Sequence, residues 1–192
     1  MGHTRNLQQL LESAQLSALV RRKAFVSYYH GDKVWAQDFV NRFGGANGAF
    51  IPRVIGLDGD QINSSKPDYV IDTIREQYIS GSTVSIILVG QCTHSRRFVD
   101  WEIKRGISNK NALIAIMLPP YSSVYLPERF HWNYREDNSG YARFYPYPDS
   151  RLQLHRWIED AYNYRNNRDI VVRNPQEPWI YNRVCRVCDA TH

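Results

Sequence analysis

Glu102 is the residue of this chain best placed to do chemistry. It stands in the run Phe98-Val99-Asp100-Trp101-Glu102-Ile103-Lys104-Arg105-Gly106, a carboxylate beside two aromatics on a helix that follows the apolar strand Val84-Ser85-Ile86-Ile87-Leu88-Val89. In open α/β sheets ligands collect in the crevice outside the carboxyl ends of such strands. Val99, Ile103, Gly106 and Ile107 make one core-facing stripe, and Glu102 falls about a quarter turn from its centre, at the rim of the buried face. The end of an earlier strand supplies Phe25, Ser27, Tyr28, Tyr29 and His30, and the approach to the helix adds Ser95, Phe98 and Trp101. Aromatic faces can sandwich a heterocycle and hydroxyls can bind ribose or phosphate oxygens, so the set has the shape of a nucleotide site. For each aromatic taken singly the plainer reading is core packing, because Phe25 and one of Tyr28 or Tyr29 alternate inward on a strand.

These residues need a scaffold, and the chain spells one out. Leu7, Leu10, Leu11, Ala14, Ala18 and Leu19 trace one face of an amphipathic helix within residues 1–21. Ala24-Phe25-Val26-Ser27-Tyr28-Tyr29 reads as the first strand, and a helix from Asp32, which could cap it, to Arg42 follows. The cluster Gly44-Gly45-Ala46-Asn47-Gly48 breaks that helix and delivers a second strand near Ala49 to Ile55. Residues 56–67 form a polar, glycine-punctuated loop, long enough to be functional. A helix from Asp68 to Ile79, the strand at 84–89, the helix of Glu102 and a strand at Ala112 to Leu118 complete an alternation of strands and helices. Such alternation predicts an α/β domain over residues 22–164 with a mainly parallel central sheet flanked by helices, of flavodoxin-like arrangement. After Pro119-Pro120 an aromatic, proline-containing segment to Pro148 reads as an elaboration or lid, and a helix from Ser150 to Tyr164 closes the core. Residues 165–192 read as an extension without a pattern.

Composition and spacing exclude several functions. The net charge of +5 over 192 residues is too mild to name nucleic acid as a partner. No apolar run approaches the roughly 20 residues that cross a bilayer, and the start lacks the apolar core of a secretory signal, so a cytoplasmic protein without membrane association is expected. Three cysteines, an odd count, fit a reducing compartment. Neither a P-loop nor a dinucleotide fingerprint is present. A phospho-acceptor aspartate is missing where Gly90 and Gln91 stand. Cys185-Arg186-Val187-Cys188 has metal-ligand spacing without a second pair, so two spectator thiols and no metal are expected.

The pattern Ala24-Phe25-Val26-Ser27-Tyr28, the loop through Pro67 and the block Ser95-Arg96-Arg97-Phe98-Val99-Asp100-Trp101-Glu102-Ile103 resemble a Toll/interleukin-1 receptor (TIR) domain. Within that superfamily the chain is most similar to the TIR-like component of the bacterial Thoeris antiphage defence system. The resemblance implies an enzyme for which NAD is the substrate and no cofactor is needed. Such an enzyme cleaves the bond between nicotinamide and ribose, and it can rejoin the product into a cyclic ADP-ribose isomer. It implies Glu102 as the catalytic carboxylate, with Phe25, Ser27, Tyr28 and Trp101 bordering the nucleotide and Asp60 and Ser65 contributing from the loop at 56–67. It further implies a separate effector protein that reads the product, and self-association of the chain. A carboxylate suits the task, because departure of nicotinamide leaves an oxocarbenium-like ribose that an adjacent anion stabilises. Two other readings stand beside it. One is a non-catalytic TIR-like interaction domain in which Glu102 is a solvated residue paired with Arg105 or another cation. The other is an enzyme like the nucleoside deoxyribosyltransferases, which sets a carboxylate on a glycosidic bond.

Overall fold

The computed structural model describes residues 11, 14–16, 18–55, 76–175, 177 and 181–187. Asp60 and Ser65, most of the N-terminal helix expected over 1–21, the start of the helix expected from Asp68, and Cys188 lie outside the described residues. Five parallel strands form one sheet in the order β2-β1-β3-β4-β5: β1 Lys23–Ser27, β2 Ile51–Val54, β3 Val84–Val89, β4 Ala112–Met117 and β5 Ala142–Tyr145. Every residue of β3 is buried, as befits a central strand with helices on both faces. Pro52 sits in β2, where an edge tolerates the missing amide proton. The chain steps outward from β1 to β2 and then crosses back to β3, so the carboxyl ends of β1 and β3 flank the switch point of a flavodoxin-like sheet.

Alternation along the strands divides the core. Ala24, Val26, Ile86, Leu88, Ile114 and Ile116 face α1 (Lys33–Phe43) and α4 (Arg151–Tyr164). Ile87, Val89, Leu113 and Ala115 face α2 (Arg97–Ser108), whose Val99, Ile103 and Ile107 form the expected stripe. Ser150 caps α4 by accepting the Gln153 amide at 3.1 Å. At the other end of the molecule Arg22 forks onto Glu159 at 2.8 and 2.9 Å and ties the entry of β1 to α4.

Three expectations need correction. The aromatic segment is no lid: it contains the short helix α3 (Glu128–His131) and β5, which pairs with β4 from Leu113↔Ala142 to Ile116↔Tyr145. Two of its aromatics pack on the helices, Tyr145 stacked on Trp157 at 4.4 Å and Tyr147 edge-on to Phe39 and Phe43. Asp32 occupies the N-cap position of α1, yet its side chain makes no capping hydrogen bond. Cys185 is no spectator thiol, since it is disulfide-bonded to Cys92 across 93 residues. Cysteine usage therefore gives no argument for a reducing compartment.

The described part of the tail is ordered by paired polar contacts. Asn133 exchanges hydrogen bonds with both backbone groups of Arg173 at 2.7 and 2.8 Å, and Asn174 reaches the Lys104 carbonyl at 3.2 Å. Arg129 of α3 joins these elements: it forks onto Asp100 of α2 at 2.9 and 3.2 Å and donates to Asn174 Oδ1 at 2.8 Å. The pair is about as buried as a side chain can be, 1% and 2% exposed. Removing one partner strands a buried charge, so Arg129→Ala should lower unfolding free energy in urea by about 3–5 kcal/mol. A loss under about 1 kcal/mol, the scale of surface pairs, would show that α2 does not depend on this anchor.

Candidate active site

Glu102 is not at a rim. It is 7% exposed, and the hydroxyl of Ser27, itself fully buried, donates to its Oε2 at 2.5 Å. Helical periodicity places the residue a quarter turn off the core stripe; the last residue of β1 covers that position, which only the tertiary structure can reveal. A short bond from a hydroxyl to a carboxylate is of the strong, charge-assisted kind. Gly106, one turn beyond Glu102, lets α2 lie close to the sheet: a Cβ there would stand 2.6 Å from Ser85 Oγ of β3. Helix position and carboxylate orientation are thus set together.

The other expected residues fall into distinct places. Tyr28 is half-buried and donates to the Ile55 carbonyl at 3.2 Å. Burial, and then the nearby Glu102 carboxylate, push its phenol pKa up. Phe25 is 1% exposed and shares with Ser27 the face of β1 turned toward α2. Trp101 is half-buried, with the Arg105 guanidinium 5.4 Å from its ring. Arg105 is paired with Glu76 at 3.5 Å. Arginines stack on two further aromatics at this edge: Arg96 lies 4.4 Å from the Tyr29 ring and Arg97 4.3 Å from that of Phe98. Among the described residues no group of three or more His, Cys, Asp or Glu side chains gathers as a metal site would require.

A second buried carboxylate was missed by the sequence reading. Asp32, 6% exposed, turns away from its own helix toward the end of β3, where Thr93 Oγ1 lies 3.5 Å from its Oδ2 and in turn accepts the Gly90 amide at 2.9 Å. A Cβ at residue 90 would stand 2.3 Å from Asp32 Oδ2, so the carboxylate fills the space that the glycine leaves. Gly90 directly after a buried strand was the available signal. Burial raises the Asp32 pKa from its ordinary 3.8 to about 6, against the lowering effect of the Thr93 hydroxyl and the Arg96 charge. Asp32 also raises the pKa of Tyr121, which burial pushes up first. The edge therefore joins an oriented carboxylate at Glu102 with a carboxyl group able to change charge near neutrality.

Linkage turns Asp32 into a stability prediction. The folded pKa lies above the unfolded one, so the penalty for ionising Asp32 is absent below pH 3.8, develops as pH rises, and is complete above about 6. Asp32→Asn, which keeps an oxygen for Thr93, should stabilise the protein at pH 7.5 by on the order of 2–3 kcal/mol and leave it unchanged at pH 4. Melting curves at the two pH values decide it; an equal shift at both, or a loss at pH 7.5, would contradict the account.

Residues 25–123 match the family model of the Thoeris protein ThsB, TIR-like domain. The match contains Ser27, Asp32, Gly90 and Glu102. No curated protein matches the chain.

Proposed function

Because this chain belongs to the family of the Thoeris protein ThsB TIR-like domain, an antiphage defence family, we propose that it consumes NAD, cleaving the bond between nicotinamide and ribose and producing a cyclic ADP-ribose-type signal. The observation that carries the reading is the buried Glu102 carboxylate held by Ser27 at the switch-point crevice.

In the reaction the glycosidic C–N bond breaks and its electron pair neutralises the positive nitrogen of nicotinamide, so the leaving group needs no proton. The ribose is left as an oxocarbenium-like cation. Glu102 stabilises it, and in a site depleted of water a fixed negative charge is worth more than in bulk solvent. Ser27 holds the carboxylate in one orientation, which removes the need to reorganise as charge develops. Water capturing the cation gives ADP-ribose; a nucleophilic nitrogen of the same molecule's adenine gives the cyclic isomer. A separate effector protein would read that product in the cytoplasm, and copies of the chain would assemble for the work. Among the described residues no helix is long and apolar enough to cross a membrane.

The interaction-domain reading is disfavoured by two facts: Glu102 is buried, and the Arg105 it would pair with is engaged by Glu76. The test is to incubate the purified chain with NAD and, separately, with deoxynucleosides, and to identify products by mass. Nicotinamide together with a species of the mass of cyclic ADP-ribose is the expected outcome. Base exchange between deoxynucleosides would point to the transferase chemistry instead, and no conversion of either substrate at high protein concentration would favour an interaction module.

A further inference from the structure

The tail returns over the carboxyl edge of the sheet as a strap and leaves a cleft against the loop that follows β4. Consecutive contacts pin it: the Arg97 amide donates to Asn182 Oδ1 at 3.0 Å, the Arg183 amide to the Ser95 carbonyl at 2.9 Å, and the Arg186 amide to His94 Nε2 at 3.2 Å. The Cys92–Cys185 disulfide lies among them. Opposite the strap stands Tyr125, 48% exposed. Cavities of about 490 and 630 Å³ open beside it, and Val124, Tyr125 and Arg186 line both. Ser27, Tyr28 and Glu102 line neither.

The charges in this wall are unequal. Arg183 is neutralised by Glu128 at 2.7 Å, whereas Arg186 makes no ion pair among the described residues and holds its guanidinium 5.5 Å from the Tyr125 ring. The His94 ring packs 5.3 Å from Tyr125 on the strap side. Burial, and then the charge of Arg186, hold the His94 pKa below its ordinary value, so His94 is neutral at pH 7 and does not compete with Arg186 for an anion. Trp132 and Tyr134 extend the aromatic lining of the smaller cavity. An exposed ring with a guanidinium over it that makes no ion pair among the described residues, on a pinned wall, matches a ligand that is flat at one end and anionic at the other.

We infer that this cleft is a binding site for a nucleoside diphosphate group, its base stacked on Tyr125 and its phosphates paired with Arg186. The choice of adenosine diphosphate rests on the NAD reading above; the cleft itself asks only for a ring and phosphates. Cleft and candidate active site share one element, the turn Thr93–Ser95, from which Thr93 meets Asp32 while His94 and Ser95 line the cavity. A ligand in the cleft therefore touches the segment that leads into α2.

Isothermal titration of the full chain with ADP, ADP-ribose, adenosine and inorganic phosphate tests this without any turnover. ADP and ADP-ribose should bind, with adenosine and phosphate each weaker by about tenfold or more, since each retains one of the two contacts. Arg186→Ala and Tyr125→Ala should each weaken ADP about tenfold or more, and Arg186→Lys should weaken it less, because a point charge remains. Both side chains are exposed, so far-UV circular dichroism and melting should match the parent. ADP affinity untouched by both alanine variants, or phosphate bound as tightly as ADP, would overturn the assignment. The two readings fail separately: a chain that binds ADP through Arg186 but never releases nicotinamide keeps the cleft and loses the enzyme, and one that cleaves NAD with ADP affinity indifferent to both residues does the reverse.

Discussion

A carboxylate taken out of water has to be held by its surroundings, and here a serine hydroxyl at the end of β1 holds it. Ser27 and Glu102 are 75 residues apart in sequence and 2.5 Å apart in space. The bond forms only if β1, β3 and α2 keep their mutual spacing. Gly106 gives α2 its close approach to the sheet, and the Asp100–Arg129 pair ties the same helix to α3. A buried ion pair is weak evidence of net stability, because desolvation offsets most of the attraction. Its service is geometric: two parallel bonds to a planar guanidinium leave the helix little freedom to slide or rotate.

Charge at the carboxyl edge is arranged unevenly. Arg96 and Arg97 open α2 and lie over Tyr29 and Phe98, so cations cover aromatic faces on the approach to the crevice. Arg96 is itself buried, as are the acidic Asp32 and Glu102. On the proposed function, the phosphates of the substrate would meet the arginines and its cationic ring the carboxylates, which act on positive charge at short range. The modest overall charge of +5 conceals this local pattern.

Much of the scaffold was legible because burial on two faces leaves a strong trace. β3 is an apolar run interrupted by Ser85 alone, and its bounds were read correctly; β4 and α4 differ by one residue at one end. β5 was missed because it is a four-residue edge strand, Ala142-Arg143-Phe144-Tyr145, followed by prolines and too short to show a period. The strap was missed for a different reason: isolated amides, asparagines and a disulfide order it, and none of these repeats along the chain. In the site, residue type pointed to Glu102, but its burial did not follow from the helix alone, since a helical wheel knows nothing of Ser27. Asp32 read as a cap because caps are the common use of aspartate before a helix. Only the empty space at Gly90 explains why its side chain points elsewhere.

The central claim is that Glu102 is a charge poised for a developing cation and not a packing residue. Nicotinamide release by Glu102→Gln, compared with the parent at equal concentration of folded protein, tests it most directly. The amide is nearly isosteric and can still accept from Ser27, so the melting temperature should change little while the rate falls about a hundredfold or more, the cost of roughly 3 kcal/mol of transition-state stabilisation. A folded variant that releases nicotinamide at the parent rate would contradict the claim.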